Sequence, residues 1–194
     1  MPSAVTTGAR VALALAAAAE GVAALERLAA RRRSFAAASR RAAETGRRLV
    51  VVGNPDGGAH TRLVRAYGCG DVCLDLDGCP SCPSAEAVDL SSGAPSSVAA
   101  DSAVVYVSCV LEYVPDPRAA ARELMRMAGS ADNLFVVAVQ PWSATAALYP
   151  GAVSTVDPLT LASAPVGFAR KAATVAALAA LVALAAGAAD PPEA

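Results

Sequence analysis

The chain has 194 residues and a net charge of -1, and 55% of it is hydrophobic while only 4% is aromatic. That length holds one domain with a proper core plus appendages. The charge balance excludes a globally acidic or basic protein that steers an oppositely charged partner, and the apolar content directs attention to membrane segments.

Taken in order, Val11 to Leu28 is almost all alanine, valine and leucine, broken by Glu20, Gly21, Glu26 and Arg27. About 18 helical residues span roughly 27 Å, close to the hydrocarbon thickness of a bilayer. Arg31, Arg32 and Arg33 come after the apolar stretch, whereas a cleavable signal peptide carries its positive charge in front. Two readings stay open: a membrane anchor, or an amphipathic helix lying on the domain or the membrane surface. Glu20 near the middle is costly in lipid.

Eight arginines lie between Arg27 and Arg48, against Glu26 and Glu44. They suit solvent or anionic lipid headgroups. The interleaved aromatics of a base-stacking surface are missing, so no nucleic-acid partner is expected.

Leu49 to Val52 is an apolar run that enters a turn of Gly53, Asn54, Pro55, Asp56, Gly57 and Gly58. A helix-like segment, Ala59 to Tyr67, follows. A β-branched run closed by glycines and then a helix predicts the first strand, loop and helix of a parallel α/β sheet. Asp71 to Asp75 reads as the second strand, Val88 to Leu90 as a short third, Ala103 to Cys109 as the fourth and Leu134 to Val139 as the fifth. Pro117 starts a helix to about Ala128, with Ala121, Leu124, Met125 and Ala128 on one face and Arg118, Arg122 and Arg126 on the other. The alternation implies right-handed crossovers in a parallel sheet. Ligands in such sheets bind at the carboxyl ends of the strands.

The section from Gln140 to Gly167, punctuated by Pro141, Pro150, Pro158 and Pro165, reads as loop and short helix. Ala172 to Ala189 is an uncharged apolar run preceded by Arg170 and Lys171 and long enough to span a bilayer. A partner-facing or buried helix is the alternative. If both ends insert, positive charge flanks the domain on both sides. The positive-inside rule then turns the domain toward the cytoplasm. The organisation expected is an N-terminal apolar then arginine-rich helical segment over 1–47, a domain over 48–168, and a C-terminal helix and tail over 169–194.

Cys69, Cys73, Cys79, Cys82 and Cys109 make an odd count, with four crowded together. That is not the framework of a disulfide-stapled secreted domain, and cytosol-facing thiols are expected. The gap from Cys79 to Cys82 suits a zinc ligand pair or a redox pair. The compact spacing, with Cys73 inside a strand, argues against metal, and no metal site is assigned. His60, the only histidine, reads as a surface or packing residue, and no catalytic triad assembles around it. There is no phosphate loop with a Walker-type lysine. Trp142 reads as a packing residue or interfacial anchor.

The run Val107-Ser-Cys-Val-Leu-Glu-Tyr-Val-Pro-Asp-Pro117, with Arg118 to Arg126 after it and Asn133 to Pro141 beyond, resembles the class I S-adenosylmethionine-dependent methyltransferases of the small-molecule type. The likeness covers Val50 to Pro141. It implies a Rossmann-like sheet of order 3-2-1-4-5, with the usual sixth and seventh strands absent or replaced by 142–168 and apolar helices flanking it at both ends. It also implies S-adenosylmethionine as cofactor.

Gly53 and Gly57 match the first and third glycines of the family's loop, and Asn54 and Asp56 lie between them. Pro55 stands at the middle glycine and Val51 at the acidic position. Asp75, followed by Leu76, falls where the family holds the ribose hydroxyls; Asp77 is the alternative, and a strand-end aspartate capping its own turn is the structural one. Asp89 and Leu90 fall where the family contacts adenine, after a link too short for the usual helix. Ser108, Glu112 and Tyr113 fall at its catalytic mouth, with Tyr113 in place of a histidine. No catalytic residue is assigned. Two functions remain: a membrane-associated methyltransferase acting on an unidentified small or lipid-like substrate, and a non-catalytic scaffold of the same fold at a membrane. Expected partners are the lipid bilayer and proteins that meet the apolar helices.

Overall fold

The computed structural model describes residues 4–57, 65–139, 143, 154–166 and 168–186. Gly58 of the first turn, Trp142, and residues 59–64 of the helix expected after the first strand, His60 among them, lie outside these. Arg65 to Tyr67, at its expected end, are not helical.

Five parallel strands form the central sheet: β1 (Arg48–Val52), β2 (Val72–Asp75), β3 (Ala85–Ala87), β4 (Ala103–Ser108) and β5 (Leu134–Val137), in the order β3-β2-β1-β4-β5. This is the expected Rossmann-like arrangement. The β-branched runs of β1 and β4 form its centre because both faces of a covered parallel sheet are buried. Successive side chains alternate between those faces. Val50, Val52, Val105 and Val107 meet Leu124 and Met127 of α2 (Pro117–Ala128) on one side. Leu49, Val51, Val104 and Tyr106 meet Phe35, Ala38 and Ala42 of α1 (Ala4–Thr45) on the other. There Tyr106 holds Phe35 edge-on at 5.4 Å between ring centroids and Tyr67 at 5.1 Å. Three of the chain's few aromatics thus dock α1 onto the sheet.

α2 is locally specified. The Asp116 carboxylate accepts from the amides of Arg118 and Ala119, Pro117 opens the helix, and Gly129 closes it with φ 72° and its N–H on the Met125 carbonyl. A Cβ on Gly129 would lie within 3 Å of several Asp101 side-chain atoms, so this corner needs glycine for space as well as for φ.

Three expectations change. The third strand is Ala85–Ala87, and Val88 to Leu90 follows it, because the edge strand is largely exposed and carries no apolar signal. The irregular stretch before the last helix contains an antiparallel pair, β6 (Ser154–Val156) and β7 (Ser163–Pro165), separate from the main sheet. Cys69 is bonded to Cys82 and Cys73 to Cys79, with Cα separations of 5.5 and 6.2 Å that suit disulfides rather than the expected thiols.

α1 is one continuous helix of 42 residues, and by length and composition it could cross a membrane. Its C-terminal half covers the sheet. Its N-terminal half runs beside α3 (Phe168–Ala186) in the antiparallel sense, with Arg10 Nε donating to the Ala185 carbonyl at the far tip. The apolar run of α3 is described over Lys171–Ala186, and residues 187–189 of the expected 172–189 lie outside those described. Glu20 is not left bare: its carboxylate accepts from Ser143 Oγ at 2.8 Å.

Candidate functional site

Strand β1 sits between β2 and β4, so the chain leaves it toward one side of the sheet and β4 is approached from the other. The loops after β1 and β4 diverge there and leave a crevice at the carboxyl edge. A cavity of about 580 Å³ occupies this place. That volume falls within the range of small-molecule sites.

The first loop forms one wall. Gly53 takes φ 102°, and a Cβ there would lie 2.7 Å from Val110 Cγ2 and 3.2 Å from the Ser108 carbonyl. Only glycine lets β1 and β4 close on the cavity floor. Beyond it the loop folds on itself. Gly57 N–H donates to the Asn54 carbonyl at 3.0 Å, Asp56 N–H donates to Asn54 Oδ1 at 3.0 Å, and Pro55 is buried. The Tyr67 hydroxyl donates to the Gly53 and Asn54 carbonyls. Gly53, Asn54 and Gly57 line the cavity. Asp56 does not; it turns to Arg65 at 3.5 Å.

Asp75 ends β2 and lines the cavity together with Leu76 and Asp77. One Asp75 oxygen accepts from the Asn54 N–H at 2.8 Å and the other from the Asp77 N–H at 3.2 Å. It therefore caps its own turn and also ties the first loop to the second. Each carboxylate oxygen retains a further lone pair for a ligand hydroxyl. Val88, Asp89 and Leu90 continue the lining past β3. Asp89 is exposed and accepts from the Ser91 N–H and hydroxyl, which hold its carboxyl below the usual range.

At the end of β4, Ser108 is buried, and its Oγ has no hydrogen bond of good geometry among the described residues. Cys109 follows with φ 52°, a left-handed conformation that a non-glycine residue adopts at a cost of order 1 kcal/mol. Burial pushes its thiol up, and the neighbouring Arg31 opposes that rise. Tyr113 lines the cavity, but Glu112 is tucked behind it. Glu112 Oε1 accepts the Val139 N–H, Oε2 is buried with no partner among the described residues, and burial raises the carboxyl. Its backbone carbonyl accepts from Ser154 N–H, so this residue fastens the β6–β7 pair to the β4 loop.

Arg27 and Arg31 of α1 complete the lining opposite the carboxylates. Sequence reading assigned them to solvent or lipid. Their spacing of four residues puts them on one helix face, but which face meets the cavity is set by the docking of Phe35. The cavity is thus polarised, with Asp75, Asp77 and Asp89 at the β2–β3 end and two guanidiniums at the α1–β4 end.

No known protein-family model, curated protein or solved structure matches this chain.

Proposed function

We propose that the chain is a membrane-associated, S-adenosylmethionine-dependent methyltransferase that acts on an anionic small or lipid-like acceptor. The observation that carries this reading is the cavity itself, where the ends of β1, β2 and β4 and the segment after β3 meet at the sheet's switch point. The residues present fit the cofactor. Asp75 would hold the ribose hydroxyls, Leu76, Val88 and Leu90 would flank the base, and Gly53 leaves the space that a side chain would fill. When bound, the cofactor supplies an electrophilic methyl group. The chain's own task is then to position the acceptor and exclude water. Arg27 and Arg31 would hold the acceptor's negative charge, and the buried Ser108 Oγ lies on the floor beside Tyr67 and Tyr106.

The alternative is a non-catalytic scaffold. It is favoured by one specific feature: Asn54 and buried Pro55 close the first loop on itself, and Asp75 spends a lone pair of each oxygen on backbone amides. Calorimetric titration separates the two. Saturable micromolar binding of S-adenosylmethionine or S-adenosylhomocysteine, lost in Asp75→Ala, is expected. No binding at millimolar cofactor would sink the enzyme reading.

Membrane association is supported by the packing of the free helical pair. In the N-terminal half of α1 the buried positions are Thr6, Ala9 and Ala23, whereas Val5, Val11, Leu15, Val22 and Leu25 are exposed. Val175, Val182 and Leu184 of α3 are exposed as well. Small residues inside and branched aliphatics outside is a pattern suited to hydrocarbon surroundings. With α1's arginines and Arg170 and Lys171 at the domain end, the domain would face the cytoplasm, where both cysteine pairs would be held reduced. Removal of residues 172–194 should weaken carbonate-resistant membrane attachment; unchanged attachment counts against α3 as the sole anchor.

A further inference from the structure

The link between β2 and β3 has no helix, and four cysteines gather around it. Cys73, Cys79 and Cys82 are buried, and their Sγ atoms all lie within 4.8 Å of one another. Cys69 Sγ is bonded to Cys82, which ties a fourth sulfur to the edge of this group, outside that mutual distance. A disulfide staple needs two sulfurs at one place. Three buried sulfurs within one ligand distance of each other, with a fourth tied to them through Cys82, is a different demand. In a tetrahedral site with metal–sulfur bonds near 2.3 Å, sulfurs lie about 3.8 Å apart. The movement that separates the two arrangements is that of Cys69 Sγ in beside the other three.

Two further features point the same way. Cys79 and Cys82 flank a tight turn closed by the Cys82 N–H on the Cys79 carbonyl at 2.9 Å, which presents both sulfurs to one side. Arg65 Nη2 donates to Cys69 Sγ at 3.3 Å. A guanidinium gains little from a neutral disulfide sulfur but much from a thiolate. A zinc tetrathiolate carries a net charge of -2, and Arg65 is placed to offset part of it.

We propose that Cys69, Cys73, Cys79 and Cys82 of the reduced chain form a closed, structural Zn²⁺ site with Arg65 as its counter-charge. Two equivalents of a dithiol reductant each transfer two electrons and two protons to one disulfide, giving four thiols and two oxidised dithiols. Zn²⁺ then replaces the four protons, which pass to solvent. Two equivalents of a disulfide oxidant, each taking up two electrons and two protons to become a dithiol, reverse the exchange, release the metal and leave the two disulfides. In either state the cluster fixes the rim of the cavity, because Leu74 to Gly78, with Asp75 and Asp77 among them, lie between Cys73 and Cys79. The site does not rest on the cofactor reading, and either can fail without the other.

The test is a titration of the full chain in detergent, reduced with a dithiol and desalted without oxygen. Co²⁺ as probe should saturate at about one equivalent, with the thiolate-to-metal charge-transfer band and intense d–d bands of a tetrahedral thiolate site, and Zn²⁺ should then displace it stoichiometrically. Cys82→Ser should lose that four-thiolate spectrum, Cys109→Ser should keep it, and Arg65→Ala should keep the spectrum while weakening affinity about tenfold. Reduced wild-type chain that gives no such bands, or yields its Zn²⁺ to a chelator of micromolar affinity, overturns the site. A Cys82→Ser spectrum identical to wild type overturns it too, and unchanged affinity in Arg65→Ala overturns the role given to that arginine. If Cys82→Ser does not fold, the wild-type titration decides alone.

Discussion

The sheet and the free helical pair are built on opposite plans. In the sheet and the helix packed on it, Val50, Val105 and Leu124 are fully buried, and the one buried charge of α2, Glu123, is held by Arg126 and Ser96. In the pair the few buried positions, Thr6, Ala9 and Ala23, are small, and Leu15, Leu25 and Val182 are exposed. The same residue types thus have opposite roles in one chain. Burial of branched aliphatics stabilises the sheet because water is the alternative. In the pair, the exposed aliphatics add nothing to folding and act only through what surrounds them.

The largest effect is expected at the core. Leu124 is fully buried between α2 and the sheet. Leu124→Ala removes that packing and leaves a cavity, at a cost of about 2–5 kcal/mol. Denaturant unfolding in detergent, followed by a probe of the sheet domain, should record it. A loss under about 1 kcal/mol would mean that the domain is not close-packed around α2.

A smaller effect is expected at the corner below the sheet. Gly129→Ala forces a Cβ into Asp101, which itself pairs with Arg47 at 2.8 Å, and does so at φ 72°. The expected loss is about 1–3 kcal/mol. Thermal unfolding of Gly129→Ala with and without Asp101→Ala separates the clash from the backbone strain: the second substitution should recover part of the loss, and no recovery would assign it all to φ.

Glu112 sharpens the contrast through pH. Burial raises its folded-state carboxyl above the ordinary value, against the opposing hydrogen bond from Val139 N–H. The folded state then holds the proton more tightly than the unfolded state. Its contribution to stability is present in full below the ordinary carboxylate range and is lost as pH rises through the raised value. Glu123 runs the other way. Although burial works against its charge, hydrogen bonds from Arg126 and Ser96 hold it below the ordinary value. Its stabilisation is present above the ordinary range and lost as pH falls through the lowered value. Stability curves of wild type and Glu112→Gln should therefore differ in slope between the ordinary carboxylate range and neutrality, with the variant flatter there. Parallel curves would contradict the burial of the carboxyl.

Much of this was open to reading from the residues, and what was hidden has physical causes. The central strands announce themselves because continuous β-branched runs such as Leu49 to Val52 have no other stable use. α2 carries its own start and stop in Asp116, Pro117 and Gly129. β3 is missed by three residues because Ala85, Glu86 and Ala87 form an exposed edge with no apolar pattern, while Val88 and Leu90 signal burial without being strand. In the site, Gly53 and Asp75 were legible from a turn and a strand end. Arg27 and Arg31 were not, because their place in the cavity depends on which face of a 42-residue helix docks on Tyr106. Asp56 fails for the converse reason: Arg65 draws it out of the lining, and that pairing has no signature in the turn itself.

The smallest effect on folding tests the comparison most directly. Leu15 is 66% exposed on the free half of α1. Leu15→Ala removes little buried surface, so stability in detergent should change by no more than about 0.5 kcal/mol. The lost methylene and methyl groups would nevertheless each have contributed about 0.8 kcal/mol if hydrocarbon surrounds them. Partition of the full chain into anionic vesicles should then weaken by more than about tenfold in Leu15→Ala while the denaturant midpoint of the domain stays where it was. A variant that partitions like wild type would show that lipid does not cover this face. A variant that unfolds earlier would show that the free half of α1 is part of the domain's own packing. Only the separation of the two readouts, with Leu124→Ala giving the reverse pair, keeps the helical pair and the sheet as regions organised by different solvents.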